Sequence, residues 1–262
     1  VYIVGLDIGT TKIACIVGEK MPNGKIEIRG YGKTESTGVK RGMVVNIEET
    51  VDAIRNAVAQ ASEQSKVDIK SVNVGIAGHH IKSLQHRGTL IRENADLEIS
   101  DQELDKLRLD MFKIRTAPGE EIVNVIPQEY YVDGEPVGSR RPKGMLGNKL
   151  EANFHVIVGQ TSAVKNICKC IEHAGLEMEN MILEPIASAA SVLGEDEKEA
   201  GVAIVDIGGG TTDIAVFYDS IIYHTAVIPL GGNIITEDIR QGCSIIRKHA
   251  EEIKVKFGSA VA

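Results

Sequence analysis

Two stretches of the chain combine acids, glycines and threonines in one order: "LDIGTTKIACIV" at 6–17 and "VDIGGGTTDIAVFY" at 205–218. In each, an apolar run ends in an aspartate, Asp7 or Asp206, and a second apolar run leaves a turn rich in glycine and threonine. Glycine reaches backbone angles closed to other residues and carries no side chain. Successive N–H groups around Gly9, and around Gly208, Gly209 and Gly210, can therefore turn inward and approach a polyanion. The hydroxyls of Thr10, Thr11, Thr211 and Thr212 add donors and acceptors, and Lys12 adds a cation. This is the chemistry of a phosphate cradle built from a β-turn. Two such cradles across a cleft would hold the β- and γ-phosphates of a nucleotide, with Asp7 and Asp206 aimed at one point. Carboxylates repel phosphate unless a divalent cation lies between, so the pattern implies Mg²⁺ held largely through water, with Asp213 positioning the metal or its waters.

Neither the P-loop spacing G-x-x-x-x-G-K-[ST] nor a G-x-G-x-x-G opening a helix occurs here. "DIGTT" alone reads equally well as an ordinary structural turn. Its recurrence at the end of a second β-run, with two extra glycines, argues for a duplicated architectural element rather than a short-period repeat.

The elements that must position these turns follow an α/β grammar. Hairpin-forming runs open the chain, through "IEIRGYGKT". Asn46 and Glu49 make a helix-starting pair ahead of Val51, Ile54, Val58 and Ala61 at helical spacing, and a buried strand, "SVNVGIAG", follows. Residues 79–156 have a more polar texture and read as an inserted α+β subdomain. Ser100 and Glu103 cap a helix carrying Leu104, Leu107, Met111 and Ile114 on one face. A strand pattern interrupted by Pro127, the loop "GEPVGSRRPKGMLGNK" and a strand, "EANFHVIVG", complete the block. A helix over 161–173, the short run "MILE" and a small-residue helix, "PIASAASVLG", lead to "EDEKEAG", read as an acidic, solvated turn. A second strand set begins at Val202.

With 262 residues the chain can form more than one compact unit, and a net charge of -8 argues against a nucleic-acid-binding surface. No apolar run approaches the roughly 18 residues of a membrane span, and the N-terminus shows no signal pattern, so the expected location is cytoplasmic. Four cysteines fit a reducing compartment. Cys168 and Cys170, two apart on a helix, do not share a face, and adjacent His79 and His80 at a strand end point to opposite sides, so neither pair reads as a metal site.

These residues resemble the actin-like ATPase superfamily, with its ribonuclease H-like fold, which includes actin, sugar kinases and DnaK-type chaperones. "DIGTTK" is similar to its first phosphate motif and "DIGGGTTD" to its second. "LEPIASAASVL" resembles the connecting helix whose acidic or amide residue orients the attacking water, which implies that role for Glu184. A helix N-terminal acid stabilised by the helix dipole is the plainer reading. "LGGNIITEDI", with Gly231 and Gly232, follows the last strand. "AEEIKVKFG" resembles the helix whose Glu and Lys contact ribose and adenine, implying Glu251 and Lys254; a solvated charge pair is the alternative.

Within the superfamily, "VGLDIGTTKIACIVGE", "GVKRGMVVNIEETVDAI", "VIPQEYYVDG", "PKGMLGNKLEANFHVIVG" and "GGNIITEDI" resemble segments of the FtsA family of bacterial cell-division proteins, in its order. The resemblance implies subdomain 1A at 1–78 and 157–198, the inserted subdomain 1C at 79–156, the start of 2A at 199–233 and the start of an incomplete 2B at 234–262. It implies ATP and Mg²⁺ as cofactors, at most slow ATP hydrolysis, self-association into filaments through 1C, and partnership with other division proteins. It further implies that the assembly links filaments of the tubulin-like FtsZ to the cytoplasmic face of the inner membrane at the septum. The FtsZ-tail and membrane contacts are expected in regions beyond Ala262. The runner-up function is a phosphotransferase or chaperone-type ATPase of the same superfamily. One departure is a longer, more basic loop, "GSRRPKG", where Arg140, Arg141 and Lys143 are either a lineage-specific contact or a solvated loop.

Overall fold

A computed structural model describes residues 1–138 and 141–261. The chain opens with β1 (Tyr2–Ile8), β2 (Lys12–Lys20) and β3 (Ile26–Glu35), an antiparallel meander. A small hairpin, β4 (Val39–Lys40) and β5 (Met43–Val44), precedes α1 (Ile47–Ser65) and β6 (Ser71–Ile76). The Asn46 side chain accepts from the Glu49 amide, so α1 starts where the capping pair places it.

The inserted block follows as β7 (Ile81–Ile91), α2 (Asp101–Asp110), β8 (Glu120–Val132), β9 (Glu135–Gly138) and β10 (Lys149–Gln160). The chain then returns through α3 (Thr161–His173), β11 (Glu177–Leu183) and α4 (Glu184–Val192). After α5 (Glu195–Ala200) come β12 (Val202–Ile207), β13 (Thr212–Tyr218), β14 (Ile221–Ile228), α6 (Asn233–Cys243) and α7 (Arg247–Phe257).

The first sheet has the order β11-β6-β1-β2-β3, with β6 and β11 joining parallel to β1. Its inner face carries Leu6, Ile13, Val72, Val74 and Ile76, closed over by Ile54 and Ala57 of α1 and Ile171 of α3. Helix and sheet approach closely because β3 presents Gly30 and Gly32 to α1. A Cβ on Gly32 would lie 1.9 Å from the Ala57 carbonyl oxygen. Gly32→Ala is expected to cost about 1–3 kcal/mol through forced helix displacement, seen as a lower thermal midpoint.

The inserted block builds its own sheet, β7-β10-β8-β9, and its own core, in which Leu104 and Leu107 of α2 pack on Leu150, Phe154 and Val156 of β10. Three local expectations need correction. The apolar stripe expected to run through Ile114 leaves the α-helix at Asp110, and Met111–Lys113 tightens into a 3-10 turn that still buries Met111. β8 is not interrupted by Pro127: it continues to Val132, and a register shift opposite β10 between Ala152 and Phe154 absorbs the irregularity. The boundary expected at 156 falls inside β10, which runs on to Gln160.

β12, β13 and β14 repeat the β1-β2-β3 meander. Ala189 of α4 packs with Ala215 and Phe217 of β13, so α4 ties the two halves together. The other edge of β12 has no strand partner among the described residues, leaving Val205 and Ile207 exposed. "EDEKEAG" is helical rather than a turn: the Glu197 carboxylate accepts from the Gly194 amide, and three acids fill the first turn, where the helix dipole favours them. Among the described residues no helix is long and apolar enough to cross a membrane.

Candidate functional site

The two glycine turns are the same device at the level of the backbone. In the first, the Gly9 amide donates to the Lys12 carbonyl at 3.0 Å; in the second, the Gly208 amide donates to the Thr211 carbonyl at 2.9 Å. Asp7 pairs across its hairpin with Ala14, and Asp206 with Asp213. The loops are therefore equal in length, and the second copy holds no inserted glycines. Its threonines are displaced instead: Gly209 and Gly210 stand where the first copy has Thr10 and Thr11, Thr211 stands where it has Lys12, and Asp213 where it has Ala14.

That displacement answers why three glycines run together. The bends meet tip to tip. A Cβ on Gly209 would lie 2.2 Å from Thr11 Cγ2, and one on Gly210 would lie 2.8 Å from Thr10 Cγ2. The threonines of one bend fill the space that side chains on the other would need.

Four carboxylates, those of Asp7, Asp206, Asp213 and Glu184, lie near enough for their charges to act on one another. Burial raises the Asp7 pKa, with Lys12 opposing and Asp206 adding to the shift. Glu184 is pushed well above the usual carboxylate range, first by burial and then by Asp7, Asp213 and Asp206, with Lys12 opposing. Glu184 is the first residue of α4 and packs on the bare backbone of β6, where a Cβ on Gly75 would come 3.1 Å from its Cγ. It is thus both a helix N-terminal acid and a member of the cluster. Asp213 is buried, its Oδ1 has no hydrogen-bond partner, and burial lifts its pKa to about 6, with Asp206 adding to the effect against a hydrogen bond from Thr211.

Lys12 brings one positive charge to the four carboxylates. Among the described residues no three His, Cys, Asp or Glu side chains stand close enough to hold a metal ion directly. A cation here would be reached through water, as the donor set and the orphaned Asp213 oxygen allow.

The second bend is backed by the Gly231-Gly232 loop. Gly232 and Asn233 amides donate to the carbonyls of Gly208 and Gly209, both at 2.9 Å, and Thr212 Oγ1 donates to Leu230 O at 2.8 Å. A Cβ on Gly231 would lie 2.4 Å from Gly208 O. Lys254 Nζ lies 2.7 Å from Glu251 and donates to Gly232 O at 3.2 Å, while Thr236 bonds Glu251. Glu251 and Lys254 therefore join α7 to the start of α6 behind the second bend, apart from the four carboxylates, and are more than a solvated pair.

Two contributors carry weaker sequence signals. Ser188 Oγ donates to Asp206 Oδ2 at 2.9 Å; its position four residues after Glu184 places both on one face of α4, a spacing visible in the sequence. The Gly42 amide donates to Thr10 Oγ1 at 3.1 Å from a loop with no periodicity to announce it.

Elsewhere, His79 is exposed and His80 buried in a turn rather than on a strand, and burial with neighbouring His79 lowers the His80 pKa to about 4. Arg141 and Lys143 pair with Asp101, and Arg141 also with Asp105, in the N-terminal half of α2; Arg140 lies outside the described residues.

Comparison with known proteins places this geometry in a family. Residues 203–262 match the family model described as cell division protein FtsA, and residues 78–158 match the SHS2 domain inserted in FtsA. The cell division protein FtsA of Pseudomonas aeruginosa is 44% identical over 261 residues, covering 99% of this chain and 62% of that protein. The chain belongs to the FtsA family. The inserted sheet is the family's SHS2 domain, and the chain spans about three fifths of the length of that FtsA relative, 62%.

A solved structure from the PilM-PilN type IV pilus biogenesis complex superposes with a TM-score of 0.71 at 16% identity, covering 98% of this chain and 70% of that one. MreB5 of Spiroplasma citri, solved bound to ADP, superposes with a TM-score of 0.50 at 16% identity, covering all of this chain and 64% of that one. The fold of this FtsA-family chain is that of the actin-like ATPases, as its motifs lead one to expect.

Proposed function

We propose that this chain binds Mg·ATP between its two glycine bends and that the nucleotide governs its assembly in cell division. The observation that carries the reading is the contact between two phosphate-type turns, each led into by an aspartate, with Glu184 and Asp213 near enough for their charges to act on Asp7 and Asp206. Backbone amides of Gly9, Gly208, Gly209 and Gly210, with the threonine hydroxyls, bind the phosphate chain, and Lys12 neutralises part of its charge. Asp7, Asp206 and Asp213 would hold Mg²⁺ through its waters, and the ion would supply positive charge against the carboxylates. Glu184 would orient the water that attacks the γ-phosphate, with hydrolysis at most slow. Glu251 and Lys254, reached through Gly232, face the nucleoside.

The bends touch, so a phosphate chain seated between them has to spread them. In the whole protein the nucleotide-bound form self-associates through the SHS2 domain and links FtsZ filaments to the cytoplasmic face of the inner membrane. These roles rest on FtsA-family membership.

Titration calorimetry with ATP, with and without Mg²⁺, tests the site. Lys12→Ala is expected to weaken binding about tenfold, a change of about 1.4 kcal/mol, and Asp206→Ala to abolish the Mg²⁺ dependence. ATP affinity untouched by both substitutions would sink the proposal.

A further inference from the structure

β14 is the outer strand of its sheet, so one row of its backbone carbonyls has no strand to pair with. Side chains of the SHS2 domain cap that row. Ser83 Oγ donates to Thr225 O and Gln85 Nε2 to Tyr223 O, both at 3.3 Å, and Gln128 Nε2 donates to Ile222 O. His155 Nε2 lies 3.0 Å from Thr225 Oγ1, and its Nδ1 lies 3.2 Å from its cross-strand neighbour Gln85. Three neighbouring strands of the inserted sheet thus brace one strand of the second half. β14 is in turn paired with β13, where Asp213 lies opposite Val227.

The same domain is rooted on the first half. Its two chain crossings are bonded together, the Gln160 amide donating to His80 O at 3.1 Å. Gly78, at φ +130°, holds the His80 ring against its α-carbon: a Cβ there would lie 2.7 Å from the ring and 3.2 Å from Gly42 O. Gly42, at φ +76°, is the residue whose amide donates to Thr10 Oγ1 in the first bend, and a Cβ on it would lie 2.8 Å from Gly78 Cα. Gly42 and Gly78 leave no room for a side chain between loop and root, and the Thr10 hydroxyl ties the loop to the bend, so displacement of one is passed on to the next.

The SHS2 domain therefore touches both halves, its root coupled to the first bend and its brace to the strand beside the second. We propose that it reads the separation of the two bends: a phosphate chain that spreads them moves β14 relative to the Gly42–Gly78 root, and the domain turns. Its orientation thereby reports occupancy of the nucleotide site. This rests on the nucleotide reading above and adds the route by which the site would govern assembly.

The route is testable on the chain itself by pulsed electron paramagnetic resonance. Spin labels go at Lys106→Cys on α2 and Glu63→Cys on α1, both exposed, with Cys168 and Cys243 replaced by serine. Nucleotide binding is measured on the same samples with a fluorescent ATP analogue. Adding Mg²⁺ and a non-hydrolysable ATP analogue should shift the label separation by more than about 2 Å. Gln128→Ala combined with Thr225→Val should leave the affinity within about twofold and give a separation that no longer responds. If that pair does not fold, Ser83→Ala with Gln85→Ala removes two other bonds of the same brace. Nucleotide binding without a shift, or an equal shift in the braceless variant, overturns the inference and leaves the nucleotide reading standing. Absence of binding overturns both.

Discussion

Replacing Arg92 with alanine is expected to destabilise the SHS2 domain by about 3 kcal/mol or more while leaving the first half of the chain folded. The Arg92 side chain is 1% exposed and donates to Glu103 at 2.7 Å, to Gly147 O at 2.7 Å and to Leu97 O at 2.9 Å. It fastens the loop between β7 and α2 to the loop before β10. Truncation strands the buried Gly147 carbonyl, the partly buried Leu97 carbonyl and half of an ion pair, and leaving such groups unpaired costs more than the pair itself contributes. The SHS2 core is separate from the core of the first sheet, so loss should appear as an early transition in urea rather than a shift of the whole curve. The chain has no tryptophan, and the SHS2 domain holds Tyr130 and Tyr131, so tyrosine fluorescence follows this transition.

The pH dependence has a definite sign. Hydrogen bonds from Arg92 and then Ser100 hold the Glu103 pKa down at about 2. Its ionised form is favoured in the folded state, so its contribution is full above the ordinary carboxylate range and disappears as pH falls through about 2. In Arg92→Ala the folded-state pKa moves back toward the ordinary range, so this contribution shrinks and its loss is complete at a higher pH. A single transition, unmoved by the substitution, would rule out this account of the domain.

Glu103 also shows which parts of the structure a sequence carries. Its bond to Ser100 is local and legible as a capping pair, as is Asn46 with Glu49. Its bond to Arg92 depends on where a loop returns, which no spacing encodes. The same division holds across the molecule. Both glycine turns, the helix at 161–173 and the existence of an inserted block are legible because each is a contiguous pattern. The two-position displacement of the threonines in the second turn is not: matching threonine to threonine inserts two glycines, whereas the backbone matches Asp213 to Ala14 and keeps the loops equal. The brace on β14 is invisible beforehand, since it joins polar side chains to carbonyls of a strand about 70 to 140 positions away and leaves no periodic trace. "EDEKEAG" is misread because charge density suggests solvation, and capping by Glu197 makes a short acidic helix equally solvated.

Asp213→Asn is expected to make the metal-free protein more stable and to remove its response to Mg²⁺. Asp213 is 3% exposed, and its Oδ1 has no partner. A buried carboxylate oxygen left without a partner costs about 1–3 kcal/mol, and an uncharged amide of the same shape relieves part of it. The pH profile follows from burial raising the Asp213 pKa from 3.8 to about 6. Between those values the folded chain binds more protons than the unfolded one. In chelator, stability therefore falls as pH rises from about 4 to about 6, and Asp7 and Glu184, raised for the same reason, add to the slope. Asp213→Asn should flatten that slope and raise the thermal midpoint at pH 7.5. Mg²⁺ with ATP should restore the parent protein at that pH by neutralising the cluster, and should have little effect on the variant. The substitution that steadies the fold would thus weaken the site, because a cluster that repels itself when empty is the source of its affinity for a cation. A variant no more stable than the parent in chelator, or one whose midpoint still climbs with Mg²⁺ and ATP, would show that Asp213 is neither strained nor part of the metal's surroundings.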